Sequence, residues 1–253
     1  MDDTRAPEVI PGRSSAPPKK RGRVSGPGML LIVVVLLLGV SLVVPWWSET
    51  EVGPGPEGVR STQSYAPLAG VMGTCSPSCP AYETGPPIGP IQGAKSFSSL
   101  GLNRTATLYY AGLGLVTIGL AGTALAVVTL PARVATSGPR GRFHTVFLSV
   151  ALLATVAASA ALACLQPIAF RADASSTFSP NSAWTASPSP ETSFWGSCVP
   201  GPTNGVCASG WSVAWGPGPG WYLITIAAVV LMAVLFLRSR GARGPPAPPS
   251  VAG

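Results

Sequence analysis

Charge is scarce in this chain, and it is scarcest where it would decide function. Only 10% of the 253 residues are Asp, Glu, Lys or Arg, and His144 is the single histidine. Four apolar stretches, 29–46, 108–130, 143–165 and 221–237, hold no Asp, Glu, Lys, Arg or His except His144 near the start of the third. Proton relays, ion pathways and voltage sensors require ionisable groups within the membrane, so pumps and coupled transporters in their usual form are excluded. His144 lies beside Arg140 and Arg142 with no carboxylate or cysteine close in sequence, which leaves no hydrolytic triad. Phosphate-cradling loops are missing too, because the Gly112 to Gly114 pattern falls inside an apolar stretch. The C-x3-C of Cys75 and Cys79 and the C-x8-C of Cys198 and Cys207 lack zinc-knuckle spacing, and no metal site is expected. Glu49, Glu51 and Glu57 read as a solvated acidic loop.

What the chain has in quantity is span-length hydrophobic sequence. A helix needs ~20 apolar residues to cross a bilayer core, and each stretch is near that length. The expected fold class is an all-α integral membrane protein, a four-helix transmembrane bundle of multi-pass topology. Basic residues order it. The segments 1–28, 131–142 and 238–253 hold twelve Lys and Arg against three acids, a net +9, whereas 47–107 and 166–220 hold four against six, a net −2. The positive-inside bias predicts cytoplasmic N and C termini and two long extracytoplasmic loops, in the plasma membrane. The tails, basic before the first span and Pro-rich after the last (Pro245, Pro246, Pro248, Pro249), read as disordered. Lys19, Lys20, Arg21 and Arg23 abut the first span and serve as a topology anchor, so no nucleic-acid partner is expected.

Aromatic pairs mark the outward helix ends: Trp46 and Trp47, Tyr109 and Tyr110, Trp221 and Tyr222. Such rings favour the headgroup level, and all six are assigned as interface anchors. Small residues mark the packing faces. Ala151, Thr155, Ser159 and Ala163 recur every four residues in the third span, and Gly112, Gly119 and Gly122 punctuate the second. In lipid, close approach of small-residue faces drives helix association, either within one chain or between copies in a homo-oligomer. The short segment 131–142 joins these two spans as a tight antiparallel hairpin.

Cysteines supply the most suggestive chemistry. Cys75 and Cys79 fall in the first loop, Cys198 and Cys207 in the second, and four cysteines on the outside of a cell imply disulfides with three pairings open. Phe194 and Trp195 precede Cys198 and Trp211 and Trp215 follow Cys207, which predicts a short disulfide-closed β-hairpin. Cys164, inside the third span, reads as a small packing residue. Four spans, inward termini and one cysteine pair per outer loop resemble the quinone-dependent disulfide-generating oxidoreductases of the DsbB type. That resemblance implies a redox role in which Cys75 and Cys79 pass electrons to a quinone while Cys198 and Cys207 exchange with a soluble thiol partner. The chain departs from the family by its C-x3-C spacing, by the distance of Cys79 from the second span, and by the lack of an Arg just inside that span. The claudin-type W…W-x-x-C…C signature and the tetraspanin C-C-G triplet are absent.

The leading expectation is a non-enzymatic binding or structural protein, a scaffold or assembly component with no cofactor. Its partners are the lipid bilayer and a membrane protein or a second copy of itself, and its outer loops are held by disulfides. The alternative is a membrane thiol oxidoreductase. A third reading is a passive channel lined by Thr117, Thr155, Ser159 and Thr225.

Overall fold

A computed structural model of the chain describes residues 26–53, 58–76, 93–129, 139–177, 191–199 and 212–242. Both tails, the Pro-rich motif, Cys79 and Cys207 lie outside the described residues. The helices are α1 (Gly26–Ser41), α2 (Asn103–Val128), α3 (Pro139–Thr177) and α4 (Pro219–Ala242). By length and composition α2, α3 and α4 can each cross a membrane, and α1 is a shorter apolar helix of 16 residues. In cyclic order α1, α2, α3 and α4, each helix packs against its two neighbours.

The described parts of the two long segments between helices carry strands. The first supplies β1 (Trp47–Val52), β2 (Arg60–Ala66), β3 (Gly70–Ser76) and β4 (Gly93–Lys95), and the second supplies β5 (Gly196–Cys198) and β6 (Ser212–Pro217). All pair antiparallel in one sheet of order β4-β3-β2-β1-β6-β5. The all-α expectation is thus corrected: four helices carry a six-stranded sheet. The second segment contains an antiparallel strand pair, β5 and β6, but β6 also joins β1, so this pair is one edge of a sheet sewn from both segments.

β1 and β2 escape a hydropathy reading because several of their buried positions are polar. Burial alternates along β1, as strand geometry demands, but its buried side chains are Trp47, Glu49 and Glu51. On β2 they include Ser61, Gln63 and Tyr65. A reading that looks for alternating apolar residues misses such strands.

The sheet sits on one end of the helices through a closely packed junction. Pro45 and Trp46 accept backbone bonds from α4 and its lead-in, Gly220 N–H to Pro45 O at 2.8 Å and Gly218 N–H to Trp46 O at 2.9 Å. Glycine is required at both sites, since a Cβ at Gly218 would lie 2.5 Å from Pro45 O and one at Gly220 2.4 Å from Trp46 Cδ1. The α3 helix runs well past the apolar stretch. Its 39 residues rise about 58 Å, against about 30 Å for a bilayer core. Past Pro167, the added turns bring Phe170, Asp173 and Ala174 into buried positions.

Candidate functional site

Three rows of side chains cross the inner face of the sheet, stacked outward from the helices. Cross-strand partners in an antiparallel ladder share a face, so the register gives each row directly. The row nearest the helices holds Val71, Tyr65 and Trp47. The next holds Gly73, Gln63, Glu49 and Trp215, with Gly196 at its end. The third holds Cys75, Ser61, Glu51, Val213 and Cys198.

The first row is the top of an aromatic cluster. Trp47 packs on Tyr65 and on Phe170 of α3, with ring centroids 5.0 and 5.1 Å apart. Phe97 bridges to Tyr109 of α2 at 5.1 Å, and Trp46 stacks on Tyr109 at 5.7 Å. Trp46, Trp47, Tyr65 and Tyr109 are at most 1% exposed, so they form the floor of the sheet. Their polar ends are satisfied locally: Trp46 Nε1 donates to Ser41 O at 2.7 Å, and Trp47 Nε1 to Phe194 O at 2.8 Å. Among the six anchors assigned from sequence, Trp46, Trp47 and Tyr109 are therefore enclosed by protein. Tyr110 and Tyr222 are more than half exposed, and half-buried Trp221 donates to Ser159 O of α3 at 3.0 Å. A ring beside an apolar stretch suits either the headgroup layer or a protein floor, and the sheet above decides for the floor.

The second and third rows bury two carboxyl groups. Glu49 is 1% exposed, and its Oε1 has no hydrogen-bond partner. Burial raises its pKa well above the usual carboxylate value, and the nearby Glu51 raises it further. Burial pushes Glu51 to about 7. Ser61, in the same row as Glu51, is fully buried with an unpartnered Oγ. Glu49 and Glu51 of the acidic loop expected from sequence thus lie in the interior of a sheet, where burial favours the protonated form of Glu49, and Glu57 lies outside the described residues. W-x-E-x-E over Trp47 to Glu51 and S-x-Q-x-Y over Ser61 to Tyr65 are the signals that would have found these strands.

Asp173 ties α3 to α2. Its Oδ1 accepts from Arg104 N–H at 2.9 Å, and its Oδ2 accepts from Thr105 N–H at 2.9 Å and Thr105 Oγ1 at 2.8 Å. The N-cap residue of α2, Leu102, has no capping side chain, so a carboxylate from another helix takes that role and meets the positive end of the helix dipole. One turn or more deeper, Tyr109 OH donates to Gln166 Oε1 at 3.4 Å.

Apart from Ala163, which is half-buried and lines a cavity beside α3, the small residues pack inside the chain. A Cβ at Gly119 would lie 2.7 Å from Thr155 Oγ1, and one at Gly122 would lie 3.3 Å from Ala151 Cβ, so α2 and α3 meet through these positions. Gly112 accommodates the ring of Trp46, and Ser159 Oγ bonds Thr225 Oγ1 of α4 at 2.9 Å. Thr155 Oγ1 bonds Ala151 O, and Thr117 Oγ1 bonds Leu113 O within its own helix. At the end of the bundle far from the sheet, Arg238 of α4 contacts His144 of α3.

Cys75 and Cys198 are each disulfide-bonded, and no disulfide has both of its cysteines among the described residues. They stand at the two ends of one row, four strand spacings or about 19 Å apart, beyond the ~7 Å that a bridge between them allows. Cys164 is a free, exposed thiol on α3, not a buried packing residue. Among the described residues no group of three His, Cys, Asp or Glu side chains is arranged to hold a metal. The chain matches no family model, and no curated protein matches it significantly.

Proposed function

We propose that the chain is a four-span protein of the cell membrane, with both termini cytoplasmic and the sheet outside. In this reading it is a non-enzymatic binding or structural protein that presents the sheet to a partner. The observation that carries it is the single sheet drawn from both inter-helix segments and seated on the helix ends. Such a platform is rigid, and its outward face is built for contact. The row Thr74, Thr62, Thr50, Ala214 and Ser197 crosses five strands with small side chains only, and Thr50 Oγ1 and Thr62 Oγ1 bond at 3.3 Å. Rigid elements hold a recognition surface more closely than loops do.

The membrane assignment rests on α2, α3 and α4 together with the charge asymmetry of the sequence. The α1 helix rises about 24 Å, and the turn at Leu42 to Pro45 carries the chain the remaining distance. Lateral assembly through small-residue faces is not part of the proposal, because those faces are occupied within the chain. Its disulfides are read as local staples, Cys75 with Cys79 and Cys198 with Cys207, each closing a short loop at one margin of the sheet.

The oxidoreductase alternative fares worse on geometry. Cys75 pairs in register with Ser61 and Glu51, four residues or about 13 Å beyond the Trp47 row, too far out to reduce a quinone held in lipid. Cys75 and Cys198, about 19 Å apart, are also too far from one another to exchange directly. Thiol labelling of the embedded protein across defined redox potentials separates the readings. Disulfides that persist below about −300 mV support the structural role, whereas a pair that cycles between about −100 and −250 mV and is reoxidised by quinone replaces it with the enzyme.

A further inference from the structure

Beside α3, where it leaves the apolar stretch, lies a cavity of about 500 Å3 that the sheet platform does not use. Its lining divides by polarity along the helix. On α3, Ala163, Cys164, Pro167 and Ile168 line it below Arg171, and on the opposing strap Glu191, Thr192 and Ser193 line it together with Phe194. The strap, residues 191–194, is held from above by Trp47 Nε1 on Phe194 O and Trp215 Nε1 on Ser193 O. Glu191 is 4% exposed, and its Oε1 has no hydrogen-bond partner. Arg171 is exposed, and Ile168 of the lining is 61% exposed. Arg171 follows Gln166 by five residues, about 7.5 Å along the helix, which sets its guanidinium above the apolar level.

We infer that this cavity binds a single membrane lipid whose headgroup carries both a phosphate and a hydrogen-bond donor, as in a phosphoethanolamine lipid. Each part of the lipid meets its complement. The phosphate takes the Arg171 guanidinium, the ammonium donates to the orphaned Glu191 Oε1, and the first acyl carbons lie along Pro167 and Ile168. Burial raises the Glu191 pKa while Arg171 lowers it, and in either protonation state Oε1 remains an acceptor. A volume of 500 Å3 is within the range of ligand pockets and suits a headgroup with the start of its chains. A quaternary ammonium headgroup has the phosphate but no N–H to give, so choline lipids should bind less well.

The inference rests on the membrane reading above, and the test separates the two. The full chain is placed in nanodiscs containing equal amounts of phosphatidylethanolamine and phosphatidylcholine, and retained lipids are counted by native mass spectrometry. A chain that needs no lipid or detergent to stay in solution sinks the membrane reading. A chain that embeds but retains both lipids equally overturns this inference alone. The expected result is about tenfold enrichment of the ethanolamine lipid, the worth of one charge-assisted hydrogen bond. Glu191→Leu should abolish that preference while leaving total lipid retention in place, and Arg171→Gln should reduce retention of both lipids. Unchanged selectivity in Glu191→Leu would overturn the assignment. Because either variant could fold poorly, Cys164 gives a second route in the folded wild-type protein. A bulky maleimide on this free thiol should block the cavity and remove the enrichment, and enrichment that survives full labelling would place the lipid elsewhere. Soluble phosphoethanolamine in excess should not displace the lipid, since it lacks the chains that fill the lower end, and displacement by it would identify a soluble headgroup as the ligand instead.

Discussion

The α2–α3 interface and the inner face of the sheet are equally buried, yet they are built from opposite materials. Between the helices, Gly119, Gly122 and Ala151 bring backbones together with no side chain to spare. Beneath the sheet, Glu49, Glu51, Ser61 and Gln63 are buried as polar groups, and Glu49 and Ser61 retain atoms without partners. The first design is sensitive to volume and indifferent to pH. The second is sensitive to proton activity. Polar burial without full satisfaction costs stability, which marks the sheet interior as the region where this fold is under tension.

The largest effect that would separate the two regions lies at Gly119. Gly119→Leu drives a side chain into Thr155 and Ala151, and a loss of more than about 3 kcal/mol, or failure to assemble, is expected in detergent unfolding titrations. Gly119→Ala should cost about 1 to 3 kcal/mol, and adding Thr155→Ala should recover part of that, because Thr155 Oγ1 is the nearest atom in the way. No recovery in the double variant would mean that the clash is not the cause.

Asp173 comes next. Asp173→Ala strands the Arg104 and Thr105 amides and the Thr105 hydroxyl, with an expected loss of about 3 kcal/mol. Hydrogen exchange should speed up in the first turn of α2 well before the rest of that helix. Uniform exchange along α2 would show that the cap does not hold this end specifically.

The third test moves to the carboxyl groups. An acid whose pKa is raised on folding holds protons that the unfolded chain has already lost, so stability falls as pH rises from the unfolded value to the folded one. For Glu51 that window runs from 4.5 to about 7. Its share of the loss is up to about 3 kcal/mol, from 1.36 kcal/mol per unit. Glu49 acts in the same direction from 4.5 upward. Unfolding midpoints between pH 4 and pH 8 should decline in the wild type, decline less in Glu51→Gln, and decline least in the Glu49→Gln, Glu51→Gln double variant, where the raised Glu191 still contributes. An equal decline in all three would place the responsible groups elsewhere.

These contrasts explain what could be read in the residues alone. Apolar stretches near the length of a bilayer core show as helices whatever they pack against: 143–165 and 221–237 lie within α3 and α4, and α2 holds the second stretch as far as Val128. The end of α3 was not legible, because residues 166–177 look like a polar linker until Asp173 is seen capping α2. Trp46 and Tyr109 read as headgroup anchors since nothing in a local window reveals a sheet folded over them. The strands themselves hid behind Glu and Ser at buried positions, and pairing β1 with β6 depends on residues far apart in sequence. The candidate site was invisible for the same reason: its polar groups were assigned to solvent by chemical type, whereas the fold assigns them to the interior by register.

The smallest prediction concerns Ser61 and has an unusual sign. Its hydroxyl is fully buried beside Glu51 and makes no hydrogen bond. A desolvated, unpartnered hydroxyl costs about 1 to 3 kcal/mol relative to water, and alanine removes the hydroxyl while leaving a void of one oxygen atom. Ser61→Ala should therefore stabilise the protein by up to about 1 kcal/mol, raising the unfolding midpoint by a few degrees. The same substitution at Ser159, whose Oγ bonds Thr225, should destabilise instead. A helix serine lost at a cost and a sheet serine lost at a gain would show that the sheet interior, unlike the helix interface, was not assembled for stability alone. A loss at both would mean that Ser61 Oγ finds a partner in solution.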